Sequence, residues 1–376
     1  MDTPPEATPA RQFRAETGSL LHLAWPLLAA QLAQMGMGVV DTVMAGRVGA
    51  DDLAGVSLGG SVMWPMMMLI TGVLQAVTPS VSQLRGANNY DEIGEVIRQA
   101  LYMAALGAVF IVLILLNIAP FYTLLEVDPD AVKISVAYLK ITALGMPALM
   151  GYFVLRFLCE GMGYTRPAMV IAVSALLLKI PLNLVFIHGY LGAPAMGGVG
   201  CGVATVMVMW FEFFVICIIA CGKRFDIVGW QKTWSAPELS RILALVKIGA
   251  PIGATMFFEM GMFSFITILL GRFGSEVIAA HTIAMNLGGL TFMFPLALGM
   301  AATIRVGFHV GSGDLAAARL TSKVAIAVTV AAAAFLAVFV VSFRAQVAGL
   351  YSSEAQVLVL ATSLMAFVAV YQLFDN

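Results

Sequence analysis

Glu259 stands in the run Met256-Phe257-Phe258-Glu259-Met260-Gly261-Met262-Phe263, twelve residues past Lys247, with no other charge between them. On a helix rising 1.5 Å per residue the carboxylate lies about 18 Å beyond that lysine. A charge carried that far into an apolar span costs at least about 2.5–3.5 kcal/mol, and its retention points to function. Such a carboxylate can take a proton, hold Na⁺ or pair with an organic cation. A site that accepts a coupling ion or a cationic substrate, but not both well, works as an exchanger.

Other polar residues interrupt apolar stretches. Asp41, followed by Thr42, sits near the outer end of the first apolar run. It reads equally as an ion site and as an interfacial acid partnering Arg47. Asp375 follows Tyr371 by four residues, so the two share a helix face, where the phenol either steadies the carboxylate or packs. Asn183 comes just after Pro181. A proline frees backbone carbonyls that an ion can use, although a kink that aids packing is as common. Glu212, between Trp210-Phe211 and Phe213-Phe214, and Lys179, two residues before Pro181 and able to snorkel, are weaker candidates. The 23 Met and 23 Phe suit an adaptable greasy cavity, though ordinary packing accounts for most of them.

The elements that carry these residues are membrane helices. The 376 residues are 61 % hydrophobic and 11 % charged, whereas soluble domains run at roughly 45–50 % and 25 %. That excludes a soluble globular protein and a disordered one, and the formal net charge of −1 argues against a nucleic-acid partner. Four Cys supply neither a disulfide framework nor metal-ligand spacing. Ten apolar runs are predicted as spans: Leu20–Ala45, then 53–80, 96–120, 134–158, 167–188, 197–221, 245–270, 278–305, 320–343 and 356–376. Residues 1–19 read as a disordered tail. With that tail inside the cell, fourteen Lys and Arg, Arg156 among them, fall on one side of the membrane and four on the other. This predicts a cytoplasmic amino terminus.

The sequence also repeats itself at an offset of 225. Pro26 aligns with Pro251, Gln34-Met35-Gly36-Met37 with Glu259-Met260-Gly261-Met262, Gly46-Arg47 with Gly271-Arg272, and Gly86 with Gly311. The offset spans six helices, so both halves share one orientation, as in transporters that rock one bundle against another. The predicted organisation is an N-lobe over 20–222, a cytoplasmic linker over 223–244 and a C-lobe over 245–376. The C-lobe carries four helices where the repeat calls for six, as in a chain that stops short.

These residues carry a resemblance to the multidrug and toxic compound extrusion (MATE) transporters, NorM-like branch, from about Leu20 to Asn376. Its most specific parts are Trp25-Pro26, Gln34-Met35-Gly36 through Val40-Asp41-Thr42-Val43-Met44-Ala45-Gly46, Glu160-Gly161-Met162-Gly163-Tyr164-Thr165-Arg166-Pro167 and Ile180-Pro181-Leu182-Asn183. Gly197-Gly198-Val199-Gly200-Cys201-Gly202, Gly249-Ala250-Pro251, Phe258-Glu259-Met260, Ala279-Ala280-His281 and Tyr371-Gln372-Leu373-Phe374-Asp375 continue it. Thr282 departs from the branch, which often has Gln after the His.

The resemblance implies an all-α polytopic membrane protein of two six-helix lobes, a monomer in the bacterial inner membrane that exports cationic amphiphilic drugs and dyes against H⁺ or Na⁺ without a cofactor. It implies an N-lobe site of Asp41 with Asn183 and Thr205, and a C-lobe site of Glu259, Asp375, Tyr371 and Asn286. Gln34, aligned with Glu259, joins the set, and Na⁺ is a candidate ligand at Glu259, Asp375 or Asp41. The nearest rival is a flippase for lipid or polysaccharide precursors, which would call for a basic cavity. An enzyme is disfavoured. Gly55-Val56-Ser57-Leu58-Gly59 matches a nucleophile elbow, but it opens a helix instead of a strand-to-helix turn.

Overall fold

The computed structural model describes residues 9–124, 129–232, 234–270, 275–351 and 355–375. Among the described residues thirteen α-helices follow one another: α1 (Pro9–Val48), α2 (Ala50–Leu74), α3 (Val77–Gly86), α4 (Tyr90–Leu116), α5 (Ala119–Leu124), α6 (Pro129–Ala143), α7 (Met146–Gly161), α8 (Arg166–His188), α9 (Gly198–Ala220), α10 (Leu239–Leu270), α11 (Ser275–Gly311), α12 (Leu315–Tyr351) and α13 (Ala355–Asp375). No strand occurs among the described residues. That follows from the solvent, since hydrocarbon offers no partner for a backbone N–H and a helix satisfies its own.

All ten apolar runs fall on helices. Eight described helical stretches are long and apolar enough to cross a membrane, and α6 with α7, bent by 52° at their junction, makes a ninth. The tenth, on α13, is apolar over Leu358–Gln372, shorter than a full span among the described residues. α1 begins at Pro9, so residues 9–19 are its first turns and not part of a tail. Arg156, counted above among the connections, is buried inside α7 and belongs with the interior charges.

The repeat is visible in the backbone. Shifted by 225, the start of α2 and the end of α3 fall on the two ends of α11, and the start of α4 falls on the start of α12. Equivalent positions near the starts of α1 and α10 both form ion pairs, with the charges exchanged. Glu16 accepts from Arg305 Nε at 2.5 Å and from Thr321 Oγ1 at 2.6 Å. Its equivalent, Arg241, pairs with Glu92 and donates to Glu238 at 2.6 Å.

The chain forms two compact units, Met1–Leu28 with Glu259–Asn376, and Ala29–Phe258. In the first, Leu20, Ala24, Leu27 and Leu28 of α1 pack with Ala297, Ala301 and Ile304 of α11 and Val324 of α12. In the second, α7 is buried along almost its whole length among α3, α4 and α9. The polar connection after α9 belongs to this unit and is tied down on α4. Ser235 Oγ donates to Glu95 at 2.7 Å, Tyr102 donates to the Ser235 carbonyl at 3.0 Å, and Trp230 is buried.

Small residues let the helices of this unit approach closely. A Cβ on Gly55 would meet Ile134 at 2.5 Å and one on Gly59 the Tyr138 ring at 2.8 Å, so these glycines serve the α2–α6 contact while Ser57 is exposed. Where α2 crosses α10, a Cβ on Gly72 would stand 2.5 Å from Gly253 Cα, and one on Gly249 would run into the Val73 carbonyl. Gly261, further along α10, has nothing within 4 Å of an added Cβ. Gly253→Val should therefore lower stability by about 1–3 kcal/mol through overpacking, seen as a reduced thermal unfolding midpoint in detergent. Gly261→Ala should leave that midpoint unchanged, and equal effects of the two would refute the crossing.

Candidate functional site

The amino-half site is assembled by α1, α8 and α9. Asp41 lies on α1, buried to 7 % exposure. Lys179 and Asn183 are four apart on α8, so they face the same way. Lys179 Nζ stands 2.7 Å from Asp41 Oδ2 and donates to Thr205 Oγ1 of α9 at 3.0 Å. Asn183 Nδ2 donates to Asp41 Oδ1 at 2.8 Å. Thr205 passes its own proton to the Cys201 carbonyl at 2.7 Å, which leaves its oxygen free to accept. Asn183 Oδ1 is buried and has no hydrogen-bond partner. Pro181 is exposed between the two buried α8 residues, so the cluster is built from side chains and not from carbonyls released at the proline.

Local sequence explains the placement. α9 starts on α2, where the Gly198 N–H donates to Asp52 Oδ1 at 2.6 Å. Gly197 has φ +56, and a Cβ there would meet Asp52 Oδ1 at 2.7 Å. A Cβ on Gly200 would stand 2.5 Å from the Phe186 carbonyl, so α8 and α9 run close together beside the cluster. The Gly197–Gly202 run is thus a packing device that brings Thr205 to Lys179 and Asp41.

A second buried group lies deeper in the same unit. Arg156 donates to Glu160 Oε1 at 2.7 Å and to Gln31 Oε1 of α1 at 3.1 Å. Glu160 Oε2, the Tyr152 hydroxyl and Glu212 Oε1 are buried without partners. The cations whose fields reach Glu212 are Arg156 and Lys179, and each already has another carboxylate.

The carboxy-half candidates lie on three helices. Glu259 is half-buried on α10, Asn286 is exposed on α11, and Tyr371 is exposed on α13. Asp375 ends α13, and its side chain lies outside the described residues. Gln34 is half-buried on α1. The polar tie between α11 and α13 is made by Gln372, which donates to the Gly288 carbonyl at 2.9 Å and to Thr291. Of the sequence candidates, then, Asp41, Asn183 and Thr205 come together. The partner that joins them, Lys179, is a weaker candidate by sequence.

A buried pair of this kind adds little net stability, but removing one member strands a charge at about 3–5 kcal/mol. Asp41→Asn should lower the thermal midpoint in detergent sharply, and Asp41→Asn with Lys179→Met should recover most of the loss. A double variant no more stable than the single one would mean the two residues are uncoupled.

The MatE family model matches residues 26–185 and 251–376. The chain is 39 % identical over 368 residues to multidrug resistance protein MdtK of Edwardsiella ictaluri, covering 97 % of this chain and 80 % of the relative. It is 41 % identical over 366 residues to multidrug resistance protein PmpM of Pseudomonas aeruginosa, covering 97 % and 77 %. A crystal structure of a mutant Vibrio cholerae MATE transporter, VcmN, superposes with a TM-score of 0.87 at 18 % identity over 96 % of this chain and 82 % of that one, which shows the fold. With the family model covering both halves and relatives near 40 % identity along nearly all of its length, this chain belongs to the MATE family, membrane transporters and not enzymes.

Proposed function

We propose that the protein is an ion-coupled antiporter that exports cationic amphiphilic drugs and dyes across the bacterial inner membrane. The observation that carries this reading is the Asp41 cluster, a carboxylate inside a membrane helix that holds an ammonium group at 2.7 Å. A group that stabilises an ammonium there suits a cationic substrate equally. The names of the relatives, multidrug resistance proteins, support the same class of cargo. A flippase for anionic precursors finds less support. The buried bases Arg156 and Lys179 are both committed to carboxylates, so neither is at hand for a phosphate headgroup.

In the proposed cycle the amino terminus is cytoplasmic and the protein works as a monomer of two lobes. Substrate enters from the cytoplasm or inner leaflet and meets Asp41, Glu259 or Asp375, with Asn183, Thr205, Gln34, Asn286 and Tyr371 around them. H⁺ or Na⁺ competes for a carboxylate on the outer side and drives release. Because Ser235 and Glu238 are tied to α4, bending is assigned to α1 and α10, near Pro26 and Pro251, and not to the linker.

The test is ethidium accumulation in cells lacking their own drug pumps and expressing the protein from its full reading frame. Wild type should hold accumulation low, and Glu259→Gln should raise it to the empty-cell level. Removing the sodium gradient in one arm and the proton gradient in another identifies the coupling ion. Unchanged accumulation in wild type, with the protein confirmed in the membrane, would overturn the proposal.

A further inference from the structure

We infer that Lys179 is a tethered cation that fills the amino-half carboxylate site and excludes Na⁺ from it. The inference rests on the reading of Asp41 as a cation site. The oxygens that the contacts place there are Asp41 Oδ1 and Oδ2 and Thr205 Oγ1, with the Tyr138 hydroxyl hydrogen-bonded to Thr205 beside them. Hard oxygens of this kind, one of them ionised, are what a small hard cation binds. In this chain the Lys179 ammonium already stands on two of them, at 2.7 Å from Asp41 Oδ2 and 3.0 Å from Thr205 Oγ1. The lysine side chain is 5 % exposed, so it does not reach the site from a water-filled surface.

The contact geometry decides against a free ion. Asp41 Oδ2 already holds the ammonium at 2.7 Å, and an added Na⁺ at Asp41 would place two cations within a few ångströms where little water screens them. The ammonium is also covalently attached, so it competes at the effective concentration of a short tether, on the order of millimolar or more. An inorganic cation gains the site only if Lys179 leaves it. The same holds for an organic cation, which must displace the ammonium. The amino-half site thus discriminates against Na⁺ by means of its own side chain, and any Na⁺ coupling falls to carboxylates elsewhere.

The inference is tested on the purified full chain in detergent, as ²²Na⁺ binding and as the shift of the thermal midpoint in NaCl against choline chloride at equal ionic strength. The informative quantity is the part of the Na⁺ signal that depends on Asp41. Wild type and the charge-neutral double variant Asp41→Asn with Lys179→Met should bind Na⁺ equally. Lys179→Ala should gain Na⁺ binding at least about tenfold tighter, lost again on adding Asp41→Asn, and Lys179→Arg should show no gain.

Na⁺ binding in wild type that disappears in the charge-neutral double variant would overturn the inference, and that comparison does not depend on Lys179→Ala folding. A monodisperse Lys179→Ala protein with no gain would overturn it too. Ethidium export separates this from the reading beneath it. Export unaffected by Asp41→Asn would remove Asp41 as a cation site. Export lost in Asp41→Asn, together with Asp41-dependent Na⁺ binding in wild type, would sink the tethered cation alone.

Discussion

A charge placed inside a membrane span is costly unless it is paired there, because the hydrocarbon around it offers neither water nor counterions. In the unit Ala29–Phe258 that cost shapes the interior, with Glu212 a buried acid whose Oε1 stays without a partner. Asp41 and Lys179 meet at 2.7 Å from different helices, and Arg156 meets Glu160 along one helix while reaching Gln31 on another. Each arrangement fixes α1 against the body of the unit. Exact backbone approach is needed to make it possible, and the glycines supply it: Gly198 and Gly200 set α9 beside α2 and α8, and Gly55 and Gly59 set α2 on α6. The contacts that look like general packing are the ones that bring the charges within reach of each other.

The internal repeat gives the two halves a common plan with different chemistry. α11 repeats α2 and α3 end to end, yet α2 and α3 are separated at Gln75 and Ala76 while α11 runs through. The ion pairs at Glu16 and Arg241 occupy equivalent positions with opposite signs. Their partners, Arg305 and Glu92, are not equivalent positions, so the repeat keeps the place of the charged residue but not of its partner. An offset that survives in helix boundaries as well as in sequence is a backbone constraint, since helix ends are set by where the chain must turn at the membrane surface.

The sequence makes the spans and the isolated acids legible, because a carboxylate among aromatics and methionines stands out in any window. Asp41 and Glu259 are found that way. Lys179 is visible too, but its meaning is not. A lysine in an apolar span reads as one that snorkels, and only the fold brings Lys179, in the middle of α8, to Asp41. Arg156 was placed in a connection because the break between α6 and α7 is hidden inside one long apolar run. The connection after α9 looks like a free linker by composition. Trp230 is buried there and Glu95 collects hydrogen bonds from Ser235, Arg98 and Gln99, so it is fixed by partners far away in sequence. Composition reports what a segment would do alone and carries no record of what will be waiting for it.

α1 joins these themes. It carries Glu16, held by Arg305 and Thr321, in one unit and Asp41, held by Lys179 and Asn183, in the other, with Pro26 buried near the boundary between Leu28 and Ala29. α10 likewise passes between units, after Phe258, with Pro251 a few residues earlier. Prolines interrupt the hydrogen-bond ladder of a helix and are the places where it bends most easily. The carboxylates at Asp41 and Glu259 lie beyond the two prolines on those same helices. α1 and α10 thus each carry a proline and, further along, one of the two acids that the sequence singles out.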